Sequence, residues 1–162
     1  MKRIIGLLAL AALLITPSMA LAGDLTMSIT VAQGWKEANR SSDGTITYVP
    51  DATPGTYANT FVQLSIQNNY KNLSGRAYVE NKIKTEKPYY ANNEYSDVGD
   101  VTVAGHNAFS YSVFDKNTDI VSSYTFIVKG KDVYVFQSTI MAEHIGKFSN
   151  DIDAMYESFT LK

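Results

Sequence analysis

The chain ends in DIDAMYESFTLK, residues 151–162. Ile152, Met155 and Phe159 fall at helical spacing there, and Ile145 and Phe148 extend the row upstream. The stripe steps by 3, 4, 3 and 4 residues, the mark of an amphipathic helix of about four turns. Lys147, Asp151, Asp153 and Glu157 lie on its opposite face. An apolar stripe needs a surface to cover, so the rest of the chain has to supply a sheet with one apolar face.

That sheet is visible upstream. Leu25, Met27, Ile29 and Val31 alternate with Thr26, Ser28 and Thr30, the period-2 pattern of a half-buried strand. Gly34 breaks this strand, and Trp35 is expected to plug the core edge. Residues 39–59, rich in Ser, Asp, Gly, Pro and Thr, read as loops around a minor strand, TITYV. Val62, Leu64 and Ile66 alternate again. LSGRAYVENKIKTEKP reads as a first helix, capped by Asn72, with Val79 and Ile83 on one face, Lys87-Pro88 as its end and Gly75 as its weak point. YYANNEYSD follows as a loop without periodicity. VTV, the turn AGHN and AFSYSVF form a hairpin with Phe109, Tyr111 and Val113 on one side. DKNTD then turns the chain into IVSSYTFIV, and KGKD turns it into VYVFQSTI. The fold class is α+β: an antiparallel sheet of about six strands with helices packed on it.

The other end of the chain gives an address. Lys2 and Arg3 precede the apolar run IIGLLALAALLI, and small residues at Ala20 and Ala22 complete a secretory signal peptide over residues 1–22. The run is too short for a spanning helix of about 20 residues. No cysteine exists to carry a lipid, so a bacterial lipoprotein is excluded. Residues 23–162 form the expected single mature domain, exported and soluble, in the periplasm or secreted. Losing Lys2 and Arg3 lowers 14 basic residues to 12 against 16 acidic ones, a net charge of −4. That balance argues against nucleic acid or an anionic membrane surface as partner.

The order of parts resembles the PsbP-like family, whose fold is shared with a nuclear Ran-binding protein family. The first strand ending in Gly34-Trp35, the VTVAGHNAFSY hairpin, the strand pair YTFIVKGKDVYVFQST and the closing helix ending in Ser158-Phe159 carry the resemblance. It spans roughly Leu25 to Leu161 and implies an α/β/α sandwich. Plant and cyanobacterial members sit on photosystem II in the thylakoid lumen and help it retain calcium and chloride. The resemblance thus implies a binding platform, and a photosystem II-associated extrinsic protein if the source is photosynthetic.

Catalytic chemistry is hard to find. There is no cysteine and no G-x-S-x-G elbow. His106 reads as a turn residue and His144 as a solvated helix-end residue, and their spacing makes no zinc motif. Calcium is the one ion to test: Asp115, Asn117 and Asp119 occupy positions one, three and five of an EF-hand-like loop, with Asp97 or Asp100 as further donors. The pattern fails at Ile120, where glycine is required, and at Phe126, where a bidentate carboxylate is required, so hairpin-forming residues are the preferred reading. No cofactor is expected.

Tyrosine stands out, with eleven in the chain. Tyr89, Tyr90 and Tyr95 crowd one loop with Asn92 and Asn93, and Tyr70 precedes the first helix. A rigid ring with a polar tip offers large contact area at low entropy cost. The expected function is a non-enzymatic binding module that uses these residues to dock onto an envelope or secreted protein. The alternative is a small-molecule or carbohydrate binder with a cleft between the sheet and residues 88–100.

Overall fold

The computed structural model describes residues 18–21, by backbone alone, and residues 25–162. The rest of the expected signal peptide lies outside the described residues. In chain order the elements are β1 (Ser18–Leu21), β2 (Thr26–Ile29), β3 (Trp35–Arg40), β4 (Ile46–Pro50), β5 (Phe61–Asn68), α1 (Gly75–Glu86), β6 (Asn93–Tyr95), β7 (Gly99–Val103), β8 (His106–Asp115), β9 (Ile120–Lys129), β10 (Asp132–Met141), α2 (Ile145–Glu157) and β11 (Thr160–Leu161). A single 3₁₀ turn, Lys87–Tyr89, follows α1, and another, Ala142–His144, precedes α2. Among the described residues no helix is long and apolar enough to cross a membrane.

The main sheet has eight antiparallel strands, ordered β3-β4-β5-β10-β9-β8-β6, with β7 also paired to β8. β10 lies at its centre and is buried on both sides, so its alternate side chains serve two cores. Val133 and Val135 face one way, with Phe126, Tyr111 and Val79 of α1. Tyr134, Phe136 and Ile140 face the other, with Phe148, Ile152 and Met155 of α2. A sheet with a helix on each face is an α/β/α sandwich. The α+β class is as expected, with more strands than the six anticipated.

The closing helix covers its face as its stripe requires. Phe148, Ile152 and Met155 are buried, and each contributes roughly 1.5–3 kcal/mol by leaving water. Ile145, first in the stripe, is 40% exposed. The chain does not stop at the helix. β11 pairs antiparallel with β2, and Lys162 N–H donates to the Thr26 carbonyl at 3.0 Å. The last residues therefore clasp β2 near the start of the domain, and the small sheet β1-β2-β11 adds Met27, Ile29 and Leu161 to the α2-side core.

Other details differ from the expectation. Trp35 is buried as anticipated, but it opens a strand, β3, whose other residues are exposed. That strand shows no alternation, and a register shift between Glu37 and Asn39 interrupts its pairing. Asn72 does not cap α1: it adopts a left-handed φ of 48° in a turn, and Ser74 takes the N-cap position without a side-chain hydrogen bond. Gly75 has a packing reason, since a Cβ there would sit 2.1 Å from a ring carbon of Phe109. The turn Ala104-Gly105 between β7 and β8 has φ of 51° and 76°, which suits glycine at the second position.

Candidate functional site

α1 ends at Glu86, the 3₁₀ turn carries the chain past Tyr89 and Tyr90, and β6 returns along the end of β8. This loop and the sheet enclose a cleft of about 280 Å³. Its lining comes from Glu86, Tyr90, Asn93 and Tyr95 on the loop side. The sheet contributes Tyr111, Val113, Asp115, Ile120, Ser122 and Tyr124.

Strand register builds the cleft floor. Tyr111 of β8 stands directly opposite Tyr124 of β9, and Phe109 opposite Phe126. Tyr111 and Tyr124 stack at 5.1 Å between ring centroids, Tyr111 and Phe126 at 5.7 Å, and Tyr95 joins Tyr111 at 6.4 Å. Such pairs add roughly 0.5–1.5 kcal/mol each beyond the area they bury. Rings stacked in a row cover one another's faces and leave hydroxyl-bearing edges for the cleft.

The Tyr111 phenol makes no hydrogen bond among the described residues, although the residue is only 3% exposed and lines the cleft. Burial first, then the Glu86 carboxylate, pushes its pKa far above the ordinary phenol value. The same two causes raise Tyr95 and Tyr78. Burial also raises Tyr124, against the nearby Ser122 hydroxyl, which works the other way. Unfolded tyrosine titrates near ~10. Raised phenols leave stability intact below that pH. Above it the unfolded chain loses its protons first, and stability falls as pH climbs toward the folded values. Urea unfolding at about pH 9, 10 and 11 should show this alkaline loss. Tyr111→Phe should make it shallower, by about 1 kcal/mol between pH 10 and 11 and less below, approaching one proton's share of about 1.4 kcal/mol per pH unit at higher pH. An unchanged slope in the variant would contradict the burial of that phenol.

The residues expected at the site divide. Tyr90, 55% exposed, lines the cleft with Asn93 and Tyr95, and Tyr89, 80% exposed, precedes it in the chain without lining the cleft. Asn92 donates to Asn117 Oδ1 at 3.4 Å, and Lys116 pairs with Glu94 at 2.5 Å, so the tyrosine loop and the β8–β9 turn are neighbours. Tyr70, 90% exposed, lies before α1, whereas Tyr89 and Tyr90 follow it. Twelve helical residues, roughly 18 Å, separate the two ends. Tyr70 therefore does not join the cleft.

Asp115 lines the cleft and its Oδ1 accepts from Asn117 N–H, the turn bond expected of a hairpin. Asn117 and Asp119 are exposed, and Asp119 has a left-handed φ of 53°. Asp100 pairs with Arg76 at 2.5 Å. Among the described residues no three His, Cys, Asp or Glu side chains are grouped to hold a metal. Neither histidine lines the cleft. His106 Nε2 lies 3.4 Å from the Leu161 carbonyl, and His144 Nδ1 lies 3.2 Å from Thr60 Oγ1. His144 is not solvated as expected: its side chain is 15% exposed, edge-on to Tyr57 and Phe148.

Glu86, Tyr111, Ser122 and Tyr124 are site residues that sequence reading missed. Tyr111 read correctly as a sheet-face residue, but only the pairing with β9 and the end of α1 turn that face into a cleft.

No family model matches the sequence, and no curated protein matches it. Solved structures do. The solution structure of cyanobacterial PsbP (CyanoP) from Synechocystis sp. PCC 6803 aligns over 84% of this chain and 86% of its own, with 9% identity and a TM-score of 0.56. LpqN, involved in cell envelope biogenesis of Mycobacterium tuberculosis, covers 91% of both chains at 16% identity and TM-score 0.56. PA94, a Pseudomonas aeruginosa protein of unknown function, covers 88% and 94% at 12% identity and TM-score 0.59. At these identities the likeness is one of fold.

Proposed function

We propose that this chain, whose fold is that of the PsbP-like proteins, is an exported, non-enzymatic binding module that docks onto an envelope or secreted protein. One observation carries the reading: two large aromatic residues consecutive in the chain, Tyr89 and Tyr90, are 80% and 55% exposed, and Tyr90 lines a cleft. Exposed tyrosines beside a concavity have the composition of recognition hot spots. The leader-like residues 1–22 and the involvement of LpqN in cell envelope biogenesis support the compartment. The module is taken to work without metal or cofactor.

The test is affinity capture from envelope and secreted fractions, with the tagged exported protein as bait. Wild type should retain one partner that Tyr89→Ala/Tyr90→Ala loses, at an unchanged melting temperature, because neither ring is part of a core. Equal retention by both baits would defeat the docking reading. A second reading, a small ligand held within the cleft, is favoured by Tyr111, a nearly buried residue in the lining whose hydroxyl takes no hydrogen bond from the described residues.

A further inference from the structure

We propose that the tyrosine cleft binds a donor-rich organic cation, a primary ammonium or guanidinium group. The inference rests on the cleft of the second reading and is independent of docking through Tyr89 and Tyr90.

The lining is rich in acceptors and poor in cations. Glu86 and Asp115 bring two carboxylates, Tyr95, Tyr111 and Tyr124 bring phenols, and no lysine or arginine lines the cleft. Glu86 also closes α1, and a helix C-terminus carries roughly half a negative charge. An anion finds no cation in this lining. A sugar stacking on an aromatic face is poorly served, because the rings occupy one another's faces at 5.1–6.4 Å. What remains open is a set of oxygens, and the group that satisfies oxygens of negative sign is a cation with several N–H donors.

The surrounding cations leave room for it. Lys82 takes Glu86 Oε1 at 2.5 Å, and Oε2 has no partner among the described residues. Lys116 is engaged by Glu94. Lys87 stands 5.8 Å from the centre of the Tyr95 ring, so a cation already rests against this aromatic row. The Tyr111 hydroxyl is the independent pointer. The residue is almost wholly buried, it borders the cleft, and its hydroxyl, open to solvent, takes no hydrogen bond from the described residues, so it is free to accept one from a ligand.

The experiment is an NMR titration of the purified exported protein, reading its tyrosine ring resonances. The probes are N-acetyl-arginine amide, N-acetyl-lysine amide, the neutral isostere N-acetyl-citrulline amide, and methyl glucoside. Saturable shifts at Tyr95, Tyr111 and Tyr124 are expected from the two cations, with citrulline binding at least tenfold more weakly. Tyr111→Phe should weaken arginine amide about fivefold while keeping the ring stack. Glu86→Gln should weaken it at least tenfold. Should that variant fail to fold, Lys82→Gln, which releases the other Glu86 oxygen, should tighten binding. An Ala-Ala-Arg-Ala-Ala peptide that binds tighter than the free amide would assign the group to a partner's side chain, and equal binding would assign a free cation. Citrulline equal to arginine, glucoside shifts without cation shifts, or no saturable shift from any probe would each overturn the proposal. Loss of cation binding leaves the capture result at Tyr89 and Tyr90 unaffected, so the two readings fail separately.

Discussion

Trp35→Ala should destabilise the protein by about 3–5 kcal/mol, a large share of the roughly 5–15 kcal/mol that holds a domain together. Trp35 is 7% exposed at the start of β3 and reaches across to α2. Its ring meets Phe148 edge-on at 5.6 Å, and its Nε1–H donates to Asp151 Oδ2 at 3.0 Å. Alanine removes the ring, opens a cavity between strand and helix, and frees the carboxylate. Urea unfolding followed by circular dichroism measures the loss, because the chain's one tryptophan is gone in the variant. Trp35→Phe keeps most of the packing and should lose less, which separates the ring from its hydrogen bond. A cost under about 1 kcal/mol for alanine would mean that α2 is not held at this point.

Phe126→Ala is expected to cost a similar 3–5 kcal/mol, on the opposite face. Phe126 is fully buried in β9, stacked against Tyr111 at 5.7 Å and tilted against Tyr78 of α1 at 6.1 Å. It supports both the first helix and the cleft floor, so the variant should also disorder the Tyr111 and Tyr124 ring resonances. Ile145→Ala makes the contrasting case. That side chain belongs to the same helical stripe as Phe148 but is 40% exposed, so its loss should stay within about 0.5 kcal/mol. If Ile145 cost as much as Phe126, burial as described for α2 would be wrong.

That contrast shows what sequence pattern can and cannot say about this fold. The closing helix was legible because Phe148, Ile152 and Met155 repeat with the helical period. Where the stripe stops being covered was not legible, since Ile145 belongs to it and is left exposed. The long strands β8, β9 and β10 announced themselves by alternation and turns. β3 did not, because only Trp35 of WKEANR is buried. β6, three residues long, is too short to carry a period.

The site was half legible for a related reason. Tyr89, Tyr90, Asn93 and Tyr95 are close in sequence, and their composition marks a recognition loop without any fold. Glu86, Tyr111 and Tyr124 enter through the end of a helix and the register of two strands, which no local pattern encodes. Tyr70 was grouped by chemistry and separated by the length of α1.

The central claim is that the tyrosine loop is the face this protein presents to its partner outside the cytoplasm. Photo-crosslinking in intact cells tests it most directly, with the cross-linking residue placed at position 89, exposed in the tyrosine loop, or at position 145, exposed on α2 beyond the other face of the sheet. The account predicts one discrete adduct with an envelope or secreted protein from position 89 and none from position 145. The same adduct from 145, or adducts only from there, would contradict it.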